Sequence, residues 1–426
     1  MNLIIFQIKR TINLLGYNPS VLTSSLLYSL AVVIERGTII LISFIASVSL
    51  EPEDFSQFGE FTIKFTAIAG YGTLGISLIL IKFSAELRNG SLERKGLIRF
   101  LYFSSIFTTL LILILNFIGN VNYHFSLDYI LLFSAAIALS SLTNTSSILL
   151  GFEAHKSSFL SALTFFISAF LLYVCAAQFV PSYSNLASVM VLSYSCYSLS
   201  SLYFVHKHLR TEMKYSILSV FKSLIEAKIL KELLPLIFIS SVSTGLIWFV
   251  SHNLLQKSNV QEHVTFLICL QWTAISTFVP SIFIRLIFPR MVAGNESNDS
   301  YLRLIKRLIV MSMILSGIIV CIALIVLIFS SNINDLYKNK PDISRTIFWF
   351  IIFSIPASLA NLFGNQLVAL GETLQWLFSS ISGFALMLFV FLLINDNSAL
   401  SYSLIMSSGY LLMIILSVSM LIRRKY

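Results

Sequence analysis

The chain has 426 residues, 57% of them hydrophobic and only 11% charged, with a mean hydropathy of +0.88. A soluble fold of that length needs far more polar surface, so the composition excludes a soluble domain and points to an integral membrane protein. The net charge of +9 does not indicate nucleic acid, because the Lys and Arg residues follow the membrane topology instead of forming one basic patch.

The chain opens with MNLIIFQIKRTINLLGYN. Lys9 and Arg10 follow its apolar residues and no small-residue cleavage site comes after them, which is not the pattern of a cleavable signal peptide. Ile4, Ile8, Ile12 and Leu15 recur at helical spacing. The stretch therefore reads either as an amphipathic helix on the membrane surface or as a leader to the first span.

A window of about 20 residues then gives about twelve spans. Their limits are 20–49, 57–83, 99–119, 127–150, 158–180, 186–205, 233–254, 263–286, 307–330, 344–370, 374–395 and 400–422. The expected fold class is an all-α integral membrane protein. Several spans exceed the minimum length, so they tilt or bend. Gly70, Gly72 and Gly75 loosen the centre of span 2, and Pro235, Pro280 and Pro356 interrupt others; each is a hinge or a fixed kink.

With a cytoplasmic N-terminus, the inner segments collect Lys9, Arg10, Arg88, Arg94, Lys95, Arg99, Lys156, the 207–231 cluster, Arg290, Arg303, Lys306, Arg307 and the terminal Arg423, Arg424 and Lys425. The outer loops keep Lys257, Lys338, Lys340 and Arg345. This positive-inside asymmetry predicts that both termini are cytoplasmic. The longest hydrophilic stretch, 206–232, divides the chain into six-span halves, 1–205 and 233–426. Within it Ile217, Phe221, Leu224, Ile225 and Leu230 approximate one helical face, as in an amphipathic surface helix or a solvated linker. The cysteines Cys175, Cys196, Cys269 and Cys321 all fall in apolar runs without CxxC spacing, which argues against disulfides and zinc.

Glu35 and Arg36 sit side by side in the middle of span 1. Ionised groups at that depth normally face a wet interior and mark transport routes. Adjacent helical residues diverge by about 100°, so each needs its own partner. Arg36 awaits an anion, either substrate or a carboxylate such as Glu60. Glu35 either carries a proton or orients Arg36.

The halves resemble each other. QFGEFTIKFTAIAGYGTLGISLILIKFSAEL from Gln57 lies without gaps on QEHVTFLICLQWTAISTFVPSIFIRLIFPRM from Gln261, and LLGFEAHKSSFLSAL around Gly151 matches ALGETLQWLFSSIS around Gly371. Repeats with an even number of spans share orientation and place a cavity between two lobes.

On these residues, together with Pro235 opening span 7, FVPSIFIRLIFPRM closing span 8 and NLFGNQLVALGE near the end of span 10, the chain resembles the multidrug/oligosaccharidyl-lipid/polysaccharide exporter superfamily, above all the O-antigen flippases of its polysaccharide branch. The resemblance implies two six-helix lobes forming a V-shaped transporter of the bacterial inner membrane. It also implies movement of undecaprenyl-pyrophosphate-linked oligosaccharide to the periplasmic leaflet by alternating access. Neither catalytic residues nor cofactors nor a metal are expected. The partners implied are the lipid-linked substrate, membrane lipids, a polysaccharide polymerase and a chain-length regulator, with the chain itself a monomer and no nucleic acid bound.

For that job the leading diphosphate ligand is Arg36, whose guanidinium makes bidentate contacts with phosphate oxygens. Lys64, Lys82 and Arg285 are further candidates. Lys64 also stands four residues after Glu60, in the order that favours a local ion pair, and Lys82 and Arg285 also suit topology anchors. Sugars need hydroxyl, amide and aromatic groups, offered by Asn144 in the SSLTNTSS run, Tyr194 and Tyr197, Gln271 and Trp272, and Asn361, Asn365 and Gln366. The same residues also suit close helix packing. Two other classes compete: a cation-coupled drug exporter of the same superfamily, and a membrane-embedded polysaccharide polymerase, for which the outer loops are too short.

Overall fold

The computed structural model describes residues 19–73, 76–88, 94–119, 127–176, 182–209, 249–256, 258–293, 300–337, 343–394 and 398–423, with isolated positions between 235 and 246. The N-terminal amphipathic stretch lies outside these residues, as does the 206–232 segment beyond Leu209.

Helix α1 (Pro19–Ser49) and helix α2 (Pro52–Thr73) each open on proline, whose missing N–H is unneeded in a first turn. Glu53 and Asp54 add negative charge at the N-terminus of α2, where the helix dipole favours it. The second span is not one helix: it stops at Thr73 and resumes as α3 (Ser77–Arg88), with Ile76 N–H bonded to the Thr73 carbonyl at 2.9 Å. The break falls in the glycine-rich stretch. The space a Cβ on Gly72 would need is filled by Thr109, which lets the neighbouring helix approach closely.

Next come α4 (Arg94–Gly119), α5 (Leu127–Gly151), α6 (His155–Ala176) and α7 (Tyr183–His208). The described positions from 235 to 256 are helical. Then follow α8 (Val260–Ala293), α9 (Ser300–Ile328), a short α10 (Ser330–Leu336), α11 (Ile343–Ala369), α12 (Thr373–Leu393) and α13 (Ala399–Arg423). Among the described residues, eight helices are long and apolar enough to cross a membrane. Their outer faces carry exposed apolar side chains such as Phe103, Phe107 and Leu111 on α4, in helical register, as lipid requires.

Helices α1 to α7 pack on one another, as do α8 to α13, and the two groups meet where α8 lies against α1 and α2. Small and polar side chains knit the first group. Between α4 and α5, Tyr102 bonds Ser141 at 2.7 Å, Thr109 donates to Ser140 at 2.9 Å and Asn144 donates to Ser105. In the second group Gly383 and Gly409 bring α12 and α13 together, and Ser379 bonds Ser417 at 3.0 Å.

Two turns have the same construction. After α5, Glu153 N–H bonds the Leu150 carbonyl and Ala154 N–H the Leu149 carbonyl, both at 2.9 Å. After α11, Gly371 N–H bonds Val368 at 3.0 Å and Glu372 N–H bonds Leu367 at 2.9 Å. Both are Schellman closures, which need a left-handed residue: Gly371 at φ 81° and Glu153 at φ 52°. The equivalence is thus Glu153 with Gly371, two residues from the Gly151 match the sequence suggests. Gly151 is the point at which α5 approaches α3, where a Cβ would meet Ile81 and Ser84. Arg88 of α3 pairs with Glu153 at 2.6 Å and pins the strained turn.

Candidate functional site

Glu35 and Arg36 leave α1 in different directions. Glu35 shares a stripe with Ala31, Thr38, Ile42 and Ala46, all buried in the first group of helices. It is half-buried and accepts a hydrogen bond from Tyr197 at 3.1 Å. Arg36 lies on the stripe of Ser43, whose carbonyl accepts a bond from Gln271 of α8 at 3.1 Å. At Ser43 and Ser47 that stripe meets the other lobe. Arg36 is exposed and, among the described residues, makes no ion pair. Glu60 does not reach it; its carboxylate lies 3.7 Å from His252.

An aromatic column runs beside Glu35. Phe165 of α6 is sandwiched by Tyr194 at 5.2 Å and Tyr197 at 5.1 Å, both from α7. Tyr194 meets Phe65 of α2 edge-on at 5.9 Å, and Phe65 touches Phe61 at 5.3 Å. Tyr194 lies within electrostatic reach of both Arg36 and Glu35. The two tyrosines do share a face, and it is turned into the lobe: they are 4% and 3% exposed, so ring packing occupies their surfaces.

The column leads to a cavity of about 270 Å³ near the α1–α2 turn, lined by Gln57, Glu60, Phe61, Lys64, Asp128, Tyr129, Leu132 and Tyr183. Tyr183 hydrogen-bonds Asp128 there. Lys64 thus stands with Glu60 in the same cavity, inside one lobe. Among the described residues no group of three His, Cys, Asp or Glu side chains could hold a metal ion.

The other sequence candidates are dispersed. Asn144 is fully buried in the α4–α5 seam. Trp272 is half-buried near Tyr337, which is also close to Ser47 of α1. Asn365 donates to the Asn361 carbonyl at 2.8 Å along α11, while Gln366 is fully buried and, among the described residues, its amide atoms have no partner. The side chains of Lys82 and Arg285 lie outside the described residues.

Sequence reasoning did not single out His263. It is fully buried, its Nδ1 is 2.8 Å from Ser56 Oγ of α2, and its Nε2 is 3.0 Å from Ser251 Oγ. Ser56 and His263 are 207 residues apart, so no local pattern links them; the sole signal is a histidine at the mouth of a span. One turn further along α8, Leu267 fills the space beside Gly59, where a Cβ would lie 2.7 Å from Cδ2 and 2.9 Å from Cγ.

The fold is similar to that of solved membrane transporters. A multidrug resistance MATE family transporter of the MOP superfamily in its outward-facing conformation matches with a TM-score of 0.67 and 15% identity, over 94% of this chain and 95% of that one. A Vibrio cholerae MATE transporter variant matches at 0.68 and 12%, over 95% and 96%. A MOP superfamily transporter from Pyrococcus furiosus, described as having a binding pocket of reverse polarity that suggests a different function, matches at 0.67 and 14%, over 95% of each chain.

The fold is that of the MATE transporters. It comprises two six-helix lobes in a V, in a chain that crosses the membrane many times. No protein-family model and no curated protein matches the sequence.

Proposed function

We propose that this chain is a cation-coupled exporter of the bacterial inner membrane, carrying its cargo through the interlobe cleft by alternating access. Lobes formed by residues 1–205 and 233–426, joined by the 206–232 segment and with both termini cytoplasmic, turn the α1–α2 end toward the periplasm. The lobe contacts at that end then correspond to the state closed to the outside. The observation that carries the reading is Glu35, a half-buried carboxylate held by Tyr197 inside one lobe, next in sequence to the exposed Arg36. An intramembrane acid in that setting suits uptake and release of a cation. The likeness to a multidrug resistance transporter supports drugs as the first cargo class.

A second reading is favoured by Arg36, exposed on α1 and, among the described residues, without an ion pair. A guanidinium in that setting suits a diphosphate, as carried by a lipid-linked oligosaccharide. In that reading Lys82 and Arg285 receive the head group at the inner mouth, and Gln271, Trp272, Asn361 and Asn365 meet sugars. A polymerase and a chain-length regulator are then partners.

One experiment separates the two. In a deletion strain carrying each variant, dye efflux and surface polysaccharide are both measured. Loss of efflux in Glu35→Gln with intact polysaccharide supports the drug exporter. Loss of polysaccharide in Arg36→Ala, partly retained in Arg36→Lys, with unchanged efflux, supports the flippase. Normal efflux and polysaccharide in both Glu35→Gln and Arg36→Ala, at wild-type protein levels, refutes both assignments.

A further inference from the structure

Three successive turns of α8 present one stripe to the other lobe. His263, Leu267 and Gln271 stand four residues apart, which keeps them on a single helical face. Each meets a different kind of group across the lobe boundary: His263 bonds Ser56 at 2.8 Å, Leu267 fills the hollow at Gly59, and Gln271 donates to the Ser43 carbonyl at 3.1 Å. The stripe is roughly 12 Å tall by helical rise, and Arg36 lies about 10 Å beyond Ser43 along α1. It therefore closes the cleft between Arg36 and the α1–α2 end.

The chemistry of the stripe is that of a seal which opens. Neither hydrogen bond of the stripe joins two carboxylate or cationic groups, so separation there leaves hydroxyl, imidazole and amide groups that water satisfies; beside the stripe, Glu60 and His252 also meet across the boundary at 3.7 Å. The imidazole is the element held from both sides. Ser251 Oγ lies 3.0 Å from Nε2 and belongs to the helix preceding α8, so His263 is oriented by its own lobe while it bonds Ser56 of the other. Ser56, Ser251 and His263 are 4%, 2% and 0% exposed, so water does not compete with these bonds while the lobes are together. Gly59 lets α2 come close enough for the Ser56 hydroxyl to reach the ring.

We infer that His263 is a gate latch: held by Ser251, it fastens α2 through Ser56 and, with Leu267 and Gln271, shuts the cleft above Arg36 until the lobes part at this end. The inference rests on the alternating-access reading and adds the residues that govern access from one side.

The test uses the full-length chain with its four native cysteines replaced and Ile40→Cys placed between Arg36 and Ser43 on α1. A membrane-impermeant maleimide is applied outside intact cells and, separately, to inside-out vesicles. Ser56→Ala, which deletes one oxygen, and His263→Ala each raise the outside labelling rate by about two- to tenfold, the range expected for one net hydrogen bond. Oxidising the Gly59→Cys, Leu267→Cys pair lowers outside labelling to background while labelling in inside-out vesicles persists. Unchanged outside labelling in both Ser56→Ala and His263→Ala, with normal labelling in inside-out vesicles, overturns the latch alone. Labelling from neither side in any form overturns the alternating-access reading beneath it.

Discussion

Gly59→Ala tests the lobe boundary with a single methyl group. The added Cβ would stand 2.7 Å from Leu267 Cδ2 and 2.9 Å from Cγ, and it overlaps Cδ1 outright. Leu267 is 5% exposed and part of the main core, so it has little room to retreat. Overpacking of this kind costs about 1–3 kcal/mol. The cost falls only on the conformation in which α2 and α8 touch, so it shifts the closed-to-open ratio by roughly 5- to 150-fold. Spin labels on Glu53→Cys and Val260→Cys, both exposed at this end, report the ratio as a distance distribution from pulsed electron paramagnetic resonance. The short-distance population falls in Gly59→Ala. Adding Leu267→Ala removes the methyls the new Cβ strikes, so the double variant lies closer to wild type than Gly59→Ala does. Strict additivity of the two substitutions, or an unchanged distribution in Gly59→Ala, would refute the reasoning.

Three further expectations follow from the packing. Gly383→Ala places a Cβ 2.7 Å from the Gly409 carbonyl and 2.5 Å from Met413 Cγ, so it lowers thermal stability in detergent by about 1–3 kcal/mol; Gly317→Ala, which meets nothing within 4 Å, is neutral or stabilising. Equal melting temperatures for the two would contradict the close α12–α13 crossing. Asn144→Ala costs about 1 kcal/mol by removing the Ser105 bond, yet the folded fraction transports normally, because the side chain is spent on the α4–α5 seam; a transport defect at wild-type stability would make Asn144 a cargo ligand instead. Phe165→Ala empties the space between Tyr194 and Tyr197 and costs about 3–5 kcal/mol, whereas Phe165→Leu retains most of the stability. Comparable melting curves for Phe165→Ala and wild type would remove the column from the account.

The eight described spans were legible because hydropathy is a local property, and so was the break in span 2, foreshadowed by Gly70, Gly72 and Gly75. The short helix α10 was not: SSNINDL has neither the apolar length of a span nor a capping signature, and it is ordered by packing on α11. At the site, spacing showed that Tyr194 and Tyr197 share a face but could not say which one. Phe165, on another helix, decides that. The polar run in α5 faces its α4 neighbours, since Ser140, Ser141 and Asn144 each have a partner on that helix. His263 escaped notice because its meaning depends on Ser56, which lies in the other half of the sequence.

The adjacency of Glu35 and Arg36 carries the most physical content, and it does so because the two residues cannot face the same way. An α-helix turns about 100° per residue, so one position looks into the lobe, toward Tyr197, while the next lies on the stripe that meets α8 two turns further along, at Ser43. The group suited to holding a proton and the group suited to holding an anion are thereby separated by the helix itself. On the proposed reading they are coupled through α1, which packs on both α6 and α8. A change in charge at Glu35 alters its bond to Tyr197 and hence the seat of α1 on the aromatic column. The same rigid helix carries Arg36 and Ser43, the acceptor for Gln271. Loosening at one face of α1 therefore reaches the seal at the other without a long chain of intermediates, and Glu35→Gln combined with Ser56→Ala is expected to deviate from additivity in the labelling assay more than Glu35→Gln combined with the remote Gly317→Ala.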